Sequence, residues 1–388
     1  MRSDAVVVGG GVAGAACALA LAGQGLRVEL VEAAAPRPWS VGRRDLRVFA
    51  LAADNAALFD ALGVWRAIRS ARAHPYRRMR VWDAAGGDEL DFDGDAFGRQ
   101  ELGWIVENGL LLDRLWAALP AAGVDVHCPA RVQAFEQDDD GARLELDDGR
   151  RIAARLVIAA DGGHSALRRM SGIGSSGHDY GQRGVVGYVR TERPHEDTAW
   201  QRFLPGGPLA VLPCSEGLGS IVWSLPDPEA ARVLELDDAA FGAELTRAFG
   251  GRLGRIEPAS ARAAFPLRLV LADAMVSGRL LLLGDAAHVV HPLAGQGVNL
   301  GLRDVAALRE LASTGDGWDS ASRLARWARR RRSESAVAGH AFDAIDRVFS
   351  NDALLPTLLR GQLFGAARRL PPVAHALWRH AAGLPRRG

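Results

Sequence analysis

Short apolar runs and helical patterns alternate in the N-terminal part of the chain. Residues 4–8 form a β-branched run, residues 15–22 continue as a helical segment, and residues 27–31 form a second apolar run. The same pattern resumes with an apolar run at 104–106 and a helical segment at 110–119. Strands that alternate with helices in this way predict a sheet of the α/β type.

The middle of the chain has a different pattern. Residues 76–82 and 89–92 flank a Gly-containing turn and predict a hairpin, and residues 124–159 are strand-rich with a second hairpin signal at Asp147-Asp148-Gly149. Between 183 and 270, short apolar runs are separated by Gly/Pro turns without helical patterns between them. This block predicts an antiparallel sheet that forms a second domain, inserted between parts of the first.

Three glycines follow the first strand with the spacing of a dinucleotide-binding loop. In Gly9-Gly10-Gly11-Val12-Ala13-Gly14 the glycines at 9, 11 and 14 fit G-x-G-x-x-G, and Glu32 ends the second strand. Such a loop needs a tight turn at Gly9, close approach of a pyrophosphate at Gly11 and close helix–strand packing at Gly14, while the acid can bond a ribose hydroxyl. The sequence therefore predicts a dinucleotide site, and leaves the identity of the dinucleotide open.

Two further strand ends carry glycine and an acidic residue. The run 156–160 leads into Asp161-Gly162, and the run 279–283 leads into Gly284-Asp285. Farther along, Gly295-Gln296-Gly297 opens a helix whose apolar positions recur from Val298 onward. The free N–H groups of a helix start favour a planar or anionic ligand. A strand, a turn and an ordinary helix without a ligand is the alternative interpretation.

The combined patterns predict an α/β fold, in which a Rossmann-like dinucleotide-binding domain carries an inserted antiparallel β-sheet domain and C-terminal helices. We expect three parts of the dinucleotide-binding domain at 1–75, 101–182 and 271–325, and a hairpin directed toward the second domain at 76–100. The inserted sheet is expected at 183–270, and a C-terminal helical extension at 326–388.

Composition limits the classes of function. The chain has 388 residues, of which 48% are hydrophobic and 24% charged, and its net charge of +1 gives no reason to expect nucleic acid. Cys17, Cys128 and Cys214 lie far apart, so neither a metal site nor a disulfide framework is expected. The sequence has no signal-peptide pattern and no apolar run of about 18 residues. We therefore expect a cytoplasmic protein.

Several segments together resemble a known family. GGGVAGAACALAL, VIAADGGHSALRR and RLLLLGDAAHVVHPLAGQGVNLGLRD are similar to the flavin-dependent aromatic hydroxylases of the para-hydroxybenzoate hydroxylase fold. More narrowly, four segments resemble the ubiquinone-biosynthesis hydroxylases: LRVFALAADNAALFDALGVW, AWQRFLPGGPLAVLP, HPLAGQGVNLGLRD and RRRRSESAVAGHAFDAIDRVFSND. The resemblance runs nearly end to end, and it implies an FAD-binding domain, a β-sheet substrate domain and a C-terminal helical extension.

The resemblance also implies which residues contact FAD. They are Gly9, Gly11, Val12, Ala13, Gly14 and Glu32 at the ADP half, Arg47, Arg114 and Asp161 near the cofactor, Gly284 and Asp285 at the ribityl chain, and Pro292, Gly295, Gln296, Gly297, Val298 and Asn299 beside the flavin ring. From the residues alone, Arg47 could face a cofactor phosphate or solvent, and Arg114 could be a solvated helix-surface residue.

The implied chemistry is that of a flavin-dependent aromatic hydroxylase. FAD would be reduced by NAD(P)H bound transiently on the flavin domain and would form a C4a-hydroperoxide with O2, which a polyprenylated phenol of ubiquinone biosynthesis would attack. The catalytic residues stay unassigned, with Pro292 and His291 as candidates. His164 and His288 also lie in flavin-facing segments, where a structural or solvent-exposed role is equally open.

Other interpretations stay open. The chain could hydroxylate a small soluble aromatic, or it could be a non-catalytic flavin-binding partner in a biosynthetic complex. The acid-free basic segment around residues 354–359, Arg360, Arg368 and Arg369 either contacts anionic lipid at the inner face of the membrane or is a solvated basic face. The sequence assigns no oligomeric state.

Overall fold

A computed structural model of the chain describes residues 2–86, 89–290 and 296–349. The strands are β1 (Ser3–Val8), β2 (Val28–Val31), β3 (Val48–Ala52), β4 (His74–Tyr76), β5 (Arg78–Asp83), β6 (Leu90–Asp93), β7 (Gly103–Glu107), β8 (Asp125–His127), β9 (Val132–Gln137), β10 (Ala142–Leu146), β11 (Arg151–Ala159), β12 (Ser175–Thr191), β13 (Thr198–Phe203), β14 (Leu209–Pro213), β15 (Leu218–Pro226), β16 (Ile256–Pro258), β17 (Ala263–Ala272), β18 (Val276–Ser277), β19 (Leu280–Leu282) and β20 (His288–Val289). The helices are α1 (Val12–Ala22), α2 (Ala53–Ala61), α3 (Trp65–Arg72), α4 (Asn108–Ala118), α5 (Ala166–Met170), α6 (Asp227–Glu235), α7 (Asp238–Ala248), α8 (Gln296–Ala312) and α9 (Ala321–Phe349). His291, Pro292, Gly295 and the basic segment after residue 350 lie outside the described residues.

A parallel sheet forms the core of the α/β part of the chain, as the alternation of strands and helices predicts. Its order is β18-β19-β11-β1-β2-β8, and the pairs from β19 to β8 are parallel. Val6 and Val7 in its central strand are fully buried because helices cover the sheet. β9 and β10 extend β11 as antiparallel strands, and the predicted turn at Gly149 has the positive φ of 82° that favours glycine.

A second, larger sheet has the order β20-β17-β12-β15-β14-β13-β5-β6, with β16 paired to β12. The predicted hairpin is formed by β5 and β6, and it joins this sheet through a parallel pairing of β5 with β13. The sheet is therefore mixed. The sequence predicts an antiparallel sheet, and the pairing of β5 with β13 departs from that prediction. β12 also begins at Ser175, eight residues before the predicted block at 183.

The prediction that 183–270 contains no helix is wrong. α6 and α7 lie between β15 and β16, and they cover the large sheet. Val233, Phe241 and Leu245 are buried in one cluster with Trp223 of β15. The helices bury only a few apolar residues each, so packing on the sheet decides their formation more than their own periodicity.

The smaller sheet β3-β7-β4 lies between the parallel sheet and the large mixed sheet. Its residues Ala50 and Ile105 share a buried cluster with Tyr188, Ala199 and Leu212 of the large sheet. Among the described residues, no helix is long and apolar enough to cross a bilayer. The boundaries proposed for the domains stay a prediction.

Candidate functional site

The C-terminal ends of four parallel strands lie at one edge of the first sheet. β1, β2, β11 and β19 run in the same direction, and the residues that follow them are Gly9, Glu32, Asp161 and Gly284 in that order of strands, within two residues of each strand end. β1 lies between β2 and β11, so the strand order changes direction there: the next parallel strand along the chain lies on one side of β1, and the later strands β11 and β19 lie on the other. Crevices at such a point are where open α/β sheets bind their ligands.

The glycine loop after β1 has the three separate roles that its spacing predicts. Gly9 has a φ of +106°, and a Cβ there would lie 2.3 Å from the carbonyl oxygen of Ala160. A Cβ on Gly14 would lie 1.9 Å from the carbonyl oxygen of Gly9, so this glycine permits the helix to pack on the turn. A Cβ on Gly11 would meet no protein atom within 4 Å. The loop therefore leaves open space at Gly11, where the predicted pyrophosphate would approach.

Glu32, at the end of β2, reaches back to this loop. Its Oε2 accepts a hydrogen bond from the Gly10 N–H, and its Oε1 accepts one from Ala34 N–H at 3.1 Å. Trp116 of α4 donates from Nε1 to the Gly10 carbonyl at 2.8 Å. Two side chains distant in sequence thus fix the loop before any ligand binds.

The turn after β11 presents a carboxylate to the same edge. Asp161 Oδ2 accepts the Ala166 N–H at 2.7 Å, at the start of α5. Its Oδ1 is buried and has no hydrogen-bond partner among the described residues. A buried acceptor without a partner indicates capacity for a ligand donor. Arg168 connects this turn to the turn after β19, because its guanidinium donates to the carbonyls of Gly163 at 2.9 Å and Ala286 at 2.7 Å.

The turn after β19 presents Asp285. Gly284 is buried with a φ of +59°, and a Cβ on it would lie 3.2 Å from the Cβ of Ala13 in α1. The side chain of Asp285 is exposed to solvent. Desolvation by the surrounding protein nevertheless raises its pKa, against the lowering effect of the positive charges of His288 and Arg47. A carboxylate that solvent can reach, but that is surrounded mostly by protein, is suited to accept a hydrogen bond from a ligand hydroxyl.

A cleft of about 470 Å³ lies between the 36–47 loop, the start of α4 and β17. Its lining includes Arg37, Arg43, Arg44 and Arg47. Arg47 is exposed, and its guanidinium carbon lies 4.9 Å from the ring centroid of Phe265. Asp45 also lines the cleft and Arg44 pairs with Glu216 at 2.8 Å, so the excess positive charge on this side, which suits an anionic ligand, comes from Arg37, Arg43 and Arg47.

Arg114 is not a freely solvated helix residue, which corrects the solvated interpretation. Its guanidinium pairs with Asp113 at 2.8 Å and lies 5.6 Å from the ring centroid of Trp39. Its Nε is buried without a hydrogen-bond partner among the described residues. The side chain therefore supports the wall of the cleft that Trp39 lines.

The start of α8 agrees with the prediction within one residue. A Cβ on Gly297 would meet no protein atom within 4 Å, and Val298 is half-buried. Asn299, by contrast, is fully buried: its Nδ2 donates to the Ala50 carbonyl at 2.8 Å and its Oδ1 accepts the Ala52 N–H at 2.9 Å. The Asn299 side chain connects α8 to β3, so a ligand could use only its main chain.

A buried charged network behind Asp285 is absent from the sequence prediction. His288 Nε2 lies 2.7 Å from Asp304 Oδ2, and Arg331 Nε of α9 donates to Asp304 Oδ1 at 2.7 Å. His288 therefore has a structural partner, whereas His164 is exposed. A signal was available, since Asp304 occupies the i+4 position from the buried Leu300 on the apolar face of α8.

These features fit a dinucleotide that extends along the sheet edge. The N-terminus of α1 has no side-chain cap and no acidic residue in its first turn, so its dipole and N–H groups favour a pyrophosphate. Gly11 provides space beside it, and the unpaired oxygen of Asp161 and the exposed Asp285 follow along the same edge.

Comparisons with known proteins agree with this geometry. The family model described as FAD binding domain matches residues 2–339. The 3-demethoxyubiquinol 3-hydroxylase of Escherichia coli (strain K12) is 37% identical over 98% of this chain and 99% of its own length. The ubiquinone hydroxylase UbiL of Rhodospirillum rubrum is 38% identical over 100% of this chain and 91% of its own length.

Among solved structures, the p-nitrophenol 4-monooxygenase PnpA of Pseudomonas putida DLL-E4 is similar with a TM-score of 0.78 and 20% identity, over 100% of this chain and 99% of that one. At this identity the similarity shows the fold alone.

Proposed function

The chain belongs to the FAD-binding-domain family, among the relatives of the ubiquinone-biosynthesis hydroxylases, and we propose that it hydroxylates the aromatic ring of a polyprenylated phenol in ubiquinone biosynthesis with FAD and O2. The observation that carries the proposal is the convergence of the Gly9–Gly14 loop, Asp161 and Asp285 at one edge of the parallel sheet. Similarity over nearly the full length of two hydroxylases of this pathway supports the choice of substrate class.

In this proposal the strand ends hold successive parts of FAD. The Gly9–Gly14 loop and the N-terminus of α1 would hold the pyrophosphate, and Glu32 would accept a ribose hydroxyl. Asp161 Oδ1 and the exposed carboxylate of Asp285 would accept hydrogen bonds from the ribityl side. FAD supplies electron transfer and oxygen activation when bound, and the protein supplies orientation and electrostatics.

The protein's own contribution to the chemistry would be electrostatic. The N-terminus of α8 carries a partial positive charge, and Gly297 leaves space beside it. Negative charge on the ring of a reduced flavin would be stabilised there. The apolar cluster of Ala50, Ile105, Tyr188 and Leu212 seals the junction between the sheets against water. Exclusion of water strengthens each of these interactions.

NAD(P)H is the expected electron donor, bound only transiently. Arg37, Arg43 and Arg47, which line the 470 Å³ cleft, would attract its phosphates. A polyprenylated substrate resides in a membrane, so we also propose peripheral membrane contact and association with other proteins of the same pathway.

The proposal is tested by complementation. The chain is expressed in bacterial strains that each lack one quinone-ring hydroxylase, and quinone intermediates are quantified by mass spectrometry. We expect one strain to regain ubiquinone, with FAD present in the purified protein. The Asp285→Ala variant, expressed at the same level, serves as the inactive control. Restoration of no strain by a protein that carries FAD would reject the proposed substrate, and turnover of an unprenylated phenol instead would indicate a small soluble aromatic.

A further inference from the structure

Three charged side chains form a chain of hydrogen bonds in the interior, between α9 and the turn that presents Asp285. His288, Asp304 and Arg331 are exposed by only 2%, 0% and 3%. Asp304 Oδ1 accepts from Arg331 Nε at 2.7 Å, and its Oδ2 lies 2.7 Å from His288 Nε2. Arg331 also pairs with Glu334, which is partly exposed.

Asp304 holds both ends of the 284–288 turn. The same Oδ2 that contacts His288 accepts the Gly284 N–H at 3.1 Å. Asp285 follows Gly284 directly, so the plane of the Asp304 carboxylate sets where the Asp285 backbone lies. Arg331 occupies the other oxygen of that carboxylate and prevents its rotation.

Stability alone gives little reason for this arrangement. Buried ion pairs add little net stability, because desolvation offsets their attraction, and apolar residues of similar volume often serve as well. Here, moreover, His288 Nδ1 and Arg331 Nη2 are buried without hydrogen-bond partners among the described residues. Buried donors without partners call for an explanation other than the stability of the fold, such as a role at an adjacent site.

The positive groups of this network are each held by a carboxylate: His288 by Asp304, and Arg331 by Asp304 and Glu334. Burial alone would lower the pKa of His288, but the charge and hydrogen bond of Asp304 raise it overall. For Asp304 the directions are opposite: burial by itself would raise the pKa, but the charges of His288 and Arg331 hold the pKa of Asp304 below its usual value. The guanidinium of Arg331 and the carboxylate of Asp304 therefore form a buried charged pair beside His288, behind the turn that carries Asp285.

We propose that Arg331 is a positioning residue of the flavin site, which fixes the Gly284–His288 turn through Asp304 and whose charge contributes to the redox potential of the bound cofactor. This inference rests on the proposed function, because it takes Asp285 as a ligand of FAD. It assigns to helix α9 a part in cofactor binding, although the neighbouring arginines Arg329, Arg330 and Arg332 are exposed.

The test uses two neighbouring arginines of α9. Arg331→Met removes the buried guanidinium, and Arg330→Met is the matched control, because Arg330 is 73% exposed and pairs with the same Glu334 at 3.1 Å without contacting Asp304. Arg331→Lys keeps the charge and loses the planar group. Each protein is prepared without flavin, titrated with FAD, and then examined for the midpoint potential of the bound FAD.

We expect Arg331→Met to bind FAD about tenfold more weakly than Arg330→Met. We also expect its midpoint potential to be lower by about 30 mV, which is a tenfold loss in the affinity for reduced relative to oxidised FAD in a two-electron couple. Arg331→Lys should keep the potential of the native protein and lose affinity only. A merely structural role would lower thermal stability in Arg331→Met without moving the potential, and that result would overturn the inference.

If Arg331→Met does not fold, the comparison of Arg331→Lys with Arg330→Lys decides, since equal FAD affinities there would also overturn it. A native protein that binds no FAD would instead reject the proposed function, and this inference with it.

Discussion

Replacement of Gly11 by alanine should separate cofactor binding from folding. A Cβ at Gly11 would meet no protein atom within 4 Å, and its backbone is extended with φ −63° and ψ 180°. The methyl group therefore strains nothing in the folded protein. Alanine also restricts the unfolded chain, so we expect the free energy of unfolding of the apoprotein to change by less than about 1 kcal/mol.

The same methyl group should interfere with FAD. It occupies the space that the pyrophosphate would need, next to the N-terminus of α1, and it would displace the phosphates from the loop N–H groups. The loss of two hydrogen bonds to a charged group, at about 1.5 kcal/mol each, amounts to about 3 kcal/mol. That energy corresponds to roughly a 100-fold rise in the Kd for FAD.

The measurement is a fluorescence titration of flavin-free protein with FAD, beside thermal unfolding of the same apoprotein. Gly14→Ala is the contrasting variant: its Cβ would lie 1.9 Å from the Gly9 carbonyl oxygen, so it should destabilise the apoprotein itself by about 3 kcal/mol. If Gly11→Ala bound FAD within about threefold of the native protein, the pyrophosphate would not lie at this loop.

Three further outcomes are expected. Asp285→Asn should lower the ratio of flavin to protein after purification without lowering Tm. An FAD content equal to that of the native protein would contradict the role assigned to Asp285. Asn299→Ala should lower the free energy of unfolding by about 2 kcal/mol, since it leaves buried groups of β3 unpaired. Chemical denaturation measures this change, and an unchanged free energy of unfolding would contradict the prediction. The raised pKa of His288 contributes stability that is present below its unfolded value of about 6.5 and is lost as the pH rises through the folded value. Thermal unfolding should therefore show a smaller loss of stability above about pH 6.5 in His288→Gln than in the native protein, and parallel pH profiles would refute this.

The parts of the site that were predictable from sequence depend on backbone geometry over a few residues. The spacing of Gly9, Gly11 and Gly14 follows from a tight turn, a close approach and a helix packed on a strand. The start of α8 was located within one residue by the return of apolar positions from Val298.

Weak local patterns were the source of the main error in the fold. α6 and α7 bury few apolar residues, such as Val233 and Phe241, and their polar surroundings resemble the loops between short strands. Helices of this length are marginal in isolation, and contact with the large sheet stabilises them. The parallel pairing of β5 with β13 is likewise a long-range contact, which no local pattern specifies.

The sequence by itself determined that a glycine loop, acidic strand ends and a helix start are present, because each is a local arrangement of a few residues. Only the tertiary structure decided which side chains reach the cofactor edge and which support it from behind. The Asn299 side chain points into the protein, and Asp304 joins His288 and Arg331, which lie 16 and 27 residues away along the chain. Such contacts depend on how α8 and α9 pack on the sheets, and packing is a property of the whole fold.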